Sequence, residues 1–345
     1  MTELRENEFP FIIVGGGVSG LLIAHLLKQH GVSFLGFEKA DILGGRSGTG
    51  HHRLYTEKAV KLFEQALPEL KWKVIEESAK LRKKGSWTDL NEESEGFSAD
   101  EAFYLRHPFF APEVEYSFLV DKLAEPVKSN FVLRRSVTSI FPVEKKIELQ
   151  DGTSYHYENL IWCSSLSHLN KMWQGDRTPL HKIMKKGNVA RGGIDLEWEL
   201  STELVELGNT LIFPFRFKEH KLRALGIQEQ TLEGKFLFHL MVFLDEEISE
   251  DREEVAKCLR TMRREFEKEF PSLKGCINSE KIVYVPEVSG ENATKAKSLE
   301  IVPSLYYVGP QIHLDGSEDT VQNLDLVAAN CEHLEKALWA SPSPG

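Results

Sequence analysis

Gly15, Gly17 and Gly20 stand in the order G-x-G-x-x-G directly after the apolar run Phe9-Pro10-Phe11-Ile12-Ile13-Val14. Glycines so placed let backbone N–H groups close around a diphosphate. Gly15 permits the tight turn out of a strand, Gly17 leaves room for the anion, and Gly20 lets the following helix lie close to the sheet. Val18 and Ser19 fill the variable positions of the loop and belong to the candidate binding set. The helix-like stretch Leu21 to His30 would turn its free N–H groups and positive dipole end toward the anion. Gly31 closes it, and a second apolar run, Val32 to Phe37, ends in Glu38 and Lys39. Glu38 lies 18 residues after Gly20, close to the spacing of the acid that holds a ribose hydroxyl pair. Its carboxylate would repel a 2′-phosphate, which disfavours an NADP-type ligand.

These residues need a strand, a helix and a second strand to hold them, and the pattern supplies all three. Downstream, Val60, Phe63 and Leu67 mark a helix ending at Pro68, and Trp72 to Ile75 with Ala79 to Leu81 reads as strands. Tyr116 to Leu123 reads as a helix, and Phe131 to Leu133, Val137 to Ile140 and Leu160 to Cys163 read as strands. A hairpin turns at Asp151-Gly152. Long strand patterns follow at Gly193–Leu200, Thr210–Phe217, Leu222–Gln228 and Lys235–Leu244. Val255, Leu259, Met262, Phe266 and Phe270 then form a helical core stripe that Pro271 ends. Ile282 to Val285 and Leu305 to Gly309 are further strands, Asp319 to Leu338 reads as one helix, and the Ser341–Gly345 tail reads as disordered.

Composition bounds the rest. A chain of 345 residues suggests two domains, and 41% hydrophobic with 28% charged residues is ordinary for a globular protein. A net charge of −11 argues against nucleic acid or an anionic membrane as the main partner. The four cysteines, Cys163, Cys258, Cys276 and Cys331, make no C-x-x-C pair, so zinc or dithiol chemistry is not expected. The polar opening residues do not read as a signal peptide, and no apolar run approaches a membrane span. The expectation is a soluble, cytoplasmic protein.

With Gly44-Gly45-Arg46 after the first unit, the sequence resembles the flavin-dependent amine oxidase and protoporphyrinogen oxidase superfamily. Ser136–Ile140, the Asp151-Gly152 hairpin, Asn159–Ser164 and Leu305–Gly309 extend the resemblance over most of the chain. It implies FAD as cofactor. Gly15, Gly17 and Gly20 would cradle the pyrophosphate and Glu38 would hold the adenosine ribose. Gly44, Gly45 and Arg46 would run along the pyrophosphate and ribityl chain, Arg46 as a bidentate phosphate partner. Val137 would meet adenine through its backbone. Gly309 and the start of the last helix, Thr320 and Val321, would face the flavin. The chain departs from the pattern at Gly309-Pro310, where an acid is usual; Asp315 or Asp319 stands as a replacement. It departs again at Leu324-Asp325, where the family places small residues. His51, His52 and Tyr55 read either as a polar wall beside the flavin or as an exposed loop.

The expected architecture is α/β: a glutathione-reductase-like, FAD-binding Rossmann domain interleaved with an α+β, sheet-rich substrate domain. The first would span residues 9–70, 115–179 and 286–340, and the second 71–114 and 180–285. Phe213, Phe215, Phe217, Phe236, Phe238 and Phe243 suggest an apolar pocket wall. The expected function is hydride removal from a small, partly apolar organic substrate, with no metal and no assigned catalytic side chain. Two alternatives stand beside it: a non-redox flavin enzyme of the UDP-galactopyranose mutase type, and a non-catalytic binder of the Rab GDP-dissociation inhibitor type.

Overall fold

The computed structural model describes residues 7–45, 53–76, 79–83, 86–90, 97, 101, 104–114, 116–184, 191–202, 210–230, 234–244, 246–249, 251–288, 294–314 and 323–339. Two large sheets organise these residues. The first is centred on Glu8–Val14, whose apolar residues Ile12 and Ile13 are wholly buried. Phe34–Phe37 and then Phe131–Val132 pair in parallel on one side of it. Ser154–Trp162 and then Leu305–Tyr307 pair in parallel on the other. Val14 lies level with Phe37 and Trp162, and Trp162 with Tyr307. The chain therefore leaves the central strand in both directions, the topology whose carboxyl ends form the ligand crevice of open α/β sheets.

Local chemistry explains the elements around that crevice. The helix Val18–Gln29 starts earlier than the apolar spacing implied, directly on Gly17, and residues Val18 to Leu27 are all buried. It is enclosed because helices Glu57–Ala66, Tyr116–Ala124 and Asn323–Trp339 pack around it. The expected hairpin forms between Lys146–Leu149 and Ser154–Trp162, with Gly152 at φ +82° and Thr153 N–H donating to Asp151 Oδ1 at 3.0 Å. Val137–Phe141 pairs onto it.

The second sheet runs Ile277–Val288, Arg191–Leu200, Phe236–Leu244, His220–Gln230, Thr210–Phe217, Lys80–Lys83 and Ser86–Asp89 in spatial order. Residues of like parity share a face, so Trp198, Phe213 and Phe238 point one way onto the helix Arg252–Glu269. Phe266 of that helix sits among their rings, with centroids 4.9–5.6 Å away. The strand pair expected between Trp72 and Trp87 in the second domain forms only in its later part. Trp72–Ile75 does not join Lys80–Lys83; it pairs with Phe109–Pro112, its ring seated edge-on against Phe63 of the first core. Only the Lys80–Lys83 and Ser86–Asp89 hairpin attaches to the second sheet.

The helix Asn323–Trp339 is tied back to the first unit at both ends. Trp339 stacks on His30 with centroids 4.1 Å apart and planes at 3°. At the other end Asp325, 2% exposed, accepts the N–H groups of Tyr55 and Thr56 at 3.0 and 2.9 Å and the Thr56 hydroxyl at 2.7 Å. Thr56 in turn caps Glu57–Ala66 by accepting from Ala59 N–H. Burial pushes the Asp325 carboxyl up to about 6, outweighing these donors.

Two outcomes follow from this packing. A Cβ at Gly20 would lie 1.9 Å from the Gly15 carbonyl oxygen, so Gly20→Ala costs roughly 3 kcal/mol or more in denaturant unfolding. Asp325 carries a folded-state value above its ordinary one, so its contribution is complete at low pH. That contribution, roughly 3 kcal/mol in all, is lost as pH rises from about 4 through about 6. Asp325→Asn keeps an acceptor for Thr56 and flattens that slope, which thermal unfolding across the same pH range reads.

Candidate functional site

Glu38 ends the second strand at the crevice, 7% exposed. Its Oε2 accepts the Gly16 N–H at 2.6 Å and its Oε1 the Ala40 N–H at 2.8 Å. The second glycine cluster packs onto the first. Gly44 N–H donates to the Gly16 carbonyl at 2.7 Å, and Gly44 bridges Gly17. Gly44 and Gly45 take φ values of +106° and +56°, and a Cβ on Gly45 would lie 3.2 Å from Gly17 Cα. The two loops thus make one backbone cradle. Glu38 N–H also donates to the Val132 carbonyl, and Arg135 N–H to the Glu38 carbonyl. These bonds bring the start of the Val137 strand alongside the acid, with the Val137 side chain itself in the core at 4% exposed.

The loop glycines divide by reason. Gly15 has φ +108° and no room for a Cβ beside the Cys163 carbonyl, and Gly20 touches Gly15, so both serve the fold. Gly17 has an ordinary φ of −73°, and a Cβ there would meet only the Gly44 carbonyl oxygen, at 3.9 Å. Among the described residues nothing requires glycine at that position; a molecule lying in the cradle would. The helix that starts there has no side-chain cap and no acid in its first turn. An uncapped N-terminus of this kind suits an anion. Val18 and Ser19 are buried, leaving their backbone as the ligand-facing part, while Lys39 is exposed. The residues present therefore fit the diphosphate and ribose of a dinucleotide. Arg46, His51, His52, Asp315, Asp319, Thr320, Val321 and the Ser341–Gly345 tail lie outside the described residues.

Gly309 follows the strand Leu305–Tyr307 at the same edge, and its need for glycine is internal. A Cβ there would lie 2.4 Å from the Tyr307 hydroxyl. Asn330, 1% exposed, donates to the carbonyls of Gly309 and Ile312 at 2.8 and 3.0 Å. Asn330 and Asp325 are the residues that sequence reasoning missed; polar side chains inside an otherwise buried helix face were the available signal.

Alternation along the strands also corrects the expected aromatic wall. Phe213, Phe215, Phe217 and Phe238 lie in the helix-covered core and Phe236 packs against it. Of the six, only Phe243 lies on the opposite face, with Ile212, Leu225, Ile227, Met241 and Tyr104. Tyr55, from the segment after the cradle, packs against that face, and burial pushes its hydroxyl up to about 12. His239, the one interruption of the apolar run Phe236–Leu244, sits on the same face with Asp195, Nδ1 to Oδ2 at 3.2 Å. Burial alone would lower the imidazole, but Asp195, Glu229 and Glu197 raise it to about 9. Arg53, 1% exposed, reaches this face from the first unit. Among the described residues no group of side chains is arranged to hold a metal.

Comparison with known proteins agrees with this geometry. Residues 13–65 match the NAD(P)-binding Rossmann-like domain model. Over 39 residues the chain is 51% identical to UDP-galactopyranose mutase of Mycoplasma pneumoniae, covering 11% of this chain and 10% of the relative. Over 44 residues it is 48% identical to the flavin-containing amine oxidase of Oncorhynchus mykiss, covering 13% and 8%. The matched stretches thus span a tenth or less of either relative. An oxidoreductase from Methanosarcina mazei superposes with a TM-score of 0.70 at 13% identity, over 94% of this chain and 99% of that one. A reduced UDP-galactopyranose mutase gives 0.65 at 14% identity, over 96% of each chain. A redesigned putrescine oxidase gives 0.64 at 11%, over 97% and 99%. Residues 13–65 thus match an NAD(P)-binding Rossmann-like domain, and the chain shares its fold with these solved structures.

Proposed function

We propose that the chain binds FAD in the glycine cradle and acts as a flavin-dependent oxidoreductase on a small, partly apolar organic molecule. The observation that carries this reading is Gly17, which no described residue requires to be glycine, at an uncapped helix start with Glu38 alongside. The free N–H groups of that helix start would hold the diphosphate. Glu38 keeps lone pairs beyond its two backbone bonds, and these would accept the adenosine ribose hydroxyls. Gly44 and Gly45 would extend the cradle, with Arg46 as the phosphate-neutralising group and Val137 as a backbone contact to adenine. Gly309, Thr320 and Val321 are the proposed contacts on the side of the last helix. Bound FAD supplies the acceptor for a hydride. The face carrying Ile212, Ile227, Met241 and Phe243 would exclude water from that chemistry. The two-domain division by chain segment and a cytoplasmic setting belong to the same proposal.

A second reading is supported by the local identity to UDP-galactopyranose mutase: a ring isomerisation with no net redox change. It calls for arginines on a nucleotide sugar. Arg191, Arg216 and Arg223 are the candidates; Arg223 is paired with Glu101 at 3.0 Å and Arg216 is exposed, and the oxidoreductase reading, which asks nothing of these arginines, is preferred.

The test is reconstitution with FAD. One bound yellow flavin per chain, bleached by dithionite and restored by air, supports an oxidase. A flavin that air does not restore points to a dehydrogenase or to the mutase type. A chain that takes up no FAD is a binder of another kind, and the proposal fails. Gly17→Ala separates site from fold: the thermal midpoint stays at the wild-type value while FAD affinity falls roughly ten-fold or more.

A further inference from the structure

The segment 53–56 meets four remote parts of the chain within a few residues. Arg53 donates from one guanidinium nitrogen to the Tyr104 carbonyl and from the other to Thr210 Oγ1 at 2.7 Å. The plane of its guanidinium carbon lies 3.9 Å over the Phe109 ring centroid. Leu54 exchanges backbone hydrogen bonds with Phe110, and Tyr55 and Thr56 donate to Asp325. Thr210 is the first residue of the strand Thr210–Phe217 and is wholly buried. Arg53 thus reaches from the element following the cradle into the second sheet, where Tyr55 of the same segment also packs. Burial pulls the guanidinium below its ordinary value, and Tyr55 beside it, then Glu229 of the neighbouring strand, act against that pull.

A buried guanidinium with this geometry is costly to misplace. Removing it leaves Thr210 and the Tyr104 carbonyl short of a donor inside the protein. Its planar fork presents two separate nitrogens to acceptors on different elements at once, whereas a lysine would have to reach both from a single ammonium. Tyr104 lies in the buried cluster on the apolar face that Thr210 borders, and Tyr55 packs against it; it is this face that the reading under Proposed function sets toward a cofactor.

We propose that Arg53 is a positioning residue: it fixes the second sheet against the cofactor-binding unit and so sets the wall that faces a bound flavin. As far as the flavin is concerned, this rests on the reading given under Proposed function. The experiment uses the full chain, with and without FAD, as wild type, Arg53→Met, Arg53→Lys and Thr210→Val. Hydrogen exchange is followed in Thr210–Phe217, with Glu8–Val14 and Leu305–Tyr307 as internal references. Iodide quenching of the flavin fluorescence is measured on the loaded protein.

In Arg53→Met, Thr210–Phe217 should exchange about ten-fold faster while both reference strands keep their rates. The variant should still bind one FAD, and iodide should quench it more strongly than in wild type. Arg53→Lys should recover part of the difference, and Thr210→Val, which keeps the side-chain shape, should reproduce the local acceleration. Unchanged exchange at Thr210–Phe217, equal acceleration in all three strands, or unchanged quenching in a loaded variant overturns the proposal. If Arg53→Met does not fold, the Lys and Val variants decide by the same pattern. If wild type takes up no FAD, the flavin reading falls while the exchange pattern still judges Arg53.

Discussion

The Glu38 carboxylate is the constraint on which the candidate site depends. A buried acid at the end of a parallel strand must find donors, and here it finds two backbone N–H groups, one in the glycine loop and one beyond itself. Charge-assisted bonds of this kind are the strong ones. They hold Gly16 at a fixed distance from the strand end, and Gly16 in turn receives Gly44. The cradle is therefore assembled from backbone around one side chain. Its shape is set before any ligand arrives, and lone pairs of the same carboxylate remain to recognise one.

The second sheet divides its work between two faces. One is a structural core, ring against ring around Phe266. The other carries a smaller buried cluster, Ile212, Leu225, Ile227, Met241 and Phe243 under Ala79 and Tyr104, with Asp195, His239 and Thr210 buried as its polar members. Burial lowers the His239 imidazole, and the carboxylates around it, Asp195 first, raise it to about 9.

Much of this was legible in the sequence, and the boundary of legibility has a physical cause. The glycine loop, Glu38, the Asp151-Gly152 turn and the helical stripe ending at Pro271 are local signals, each requiring a particular dihedral, spacing or period. The partner of Trp72–Ile75 was not legible, because pairing between short strands is settled by tertiary packing, here by Trp72 against Phe63. The side of the sheet taken by each phenylalanine was readable only as an alternation, not as a direction. Asp325, Asn330 and Arg53 act on atoms far away in sequence, and no local pattern announces such partners.

The first sheet is closed by residues from both ends of the sequence. Leu305–Tyr307 pairs with Ser154–Trp162, and Asp325 reaches back to Tyr55. During synthesis on the ribosome the second sheet can be complete while the first still lacks an edge strand and its covering helix. Contacts of such long sequence separation form late. The nascent protein then carries an open, apolar parallel sheet until its last segment emerges, and it is in that interval that chaperones would have most to protect.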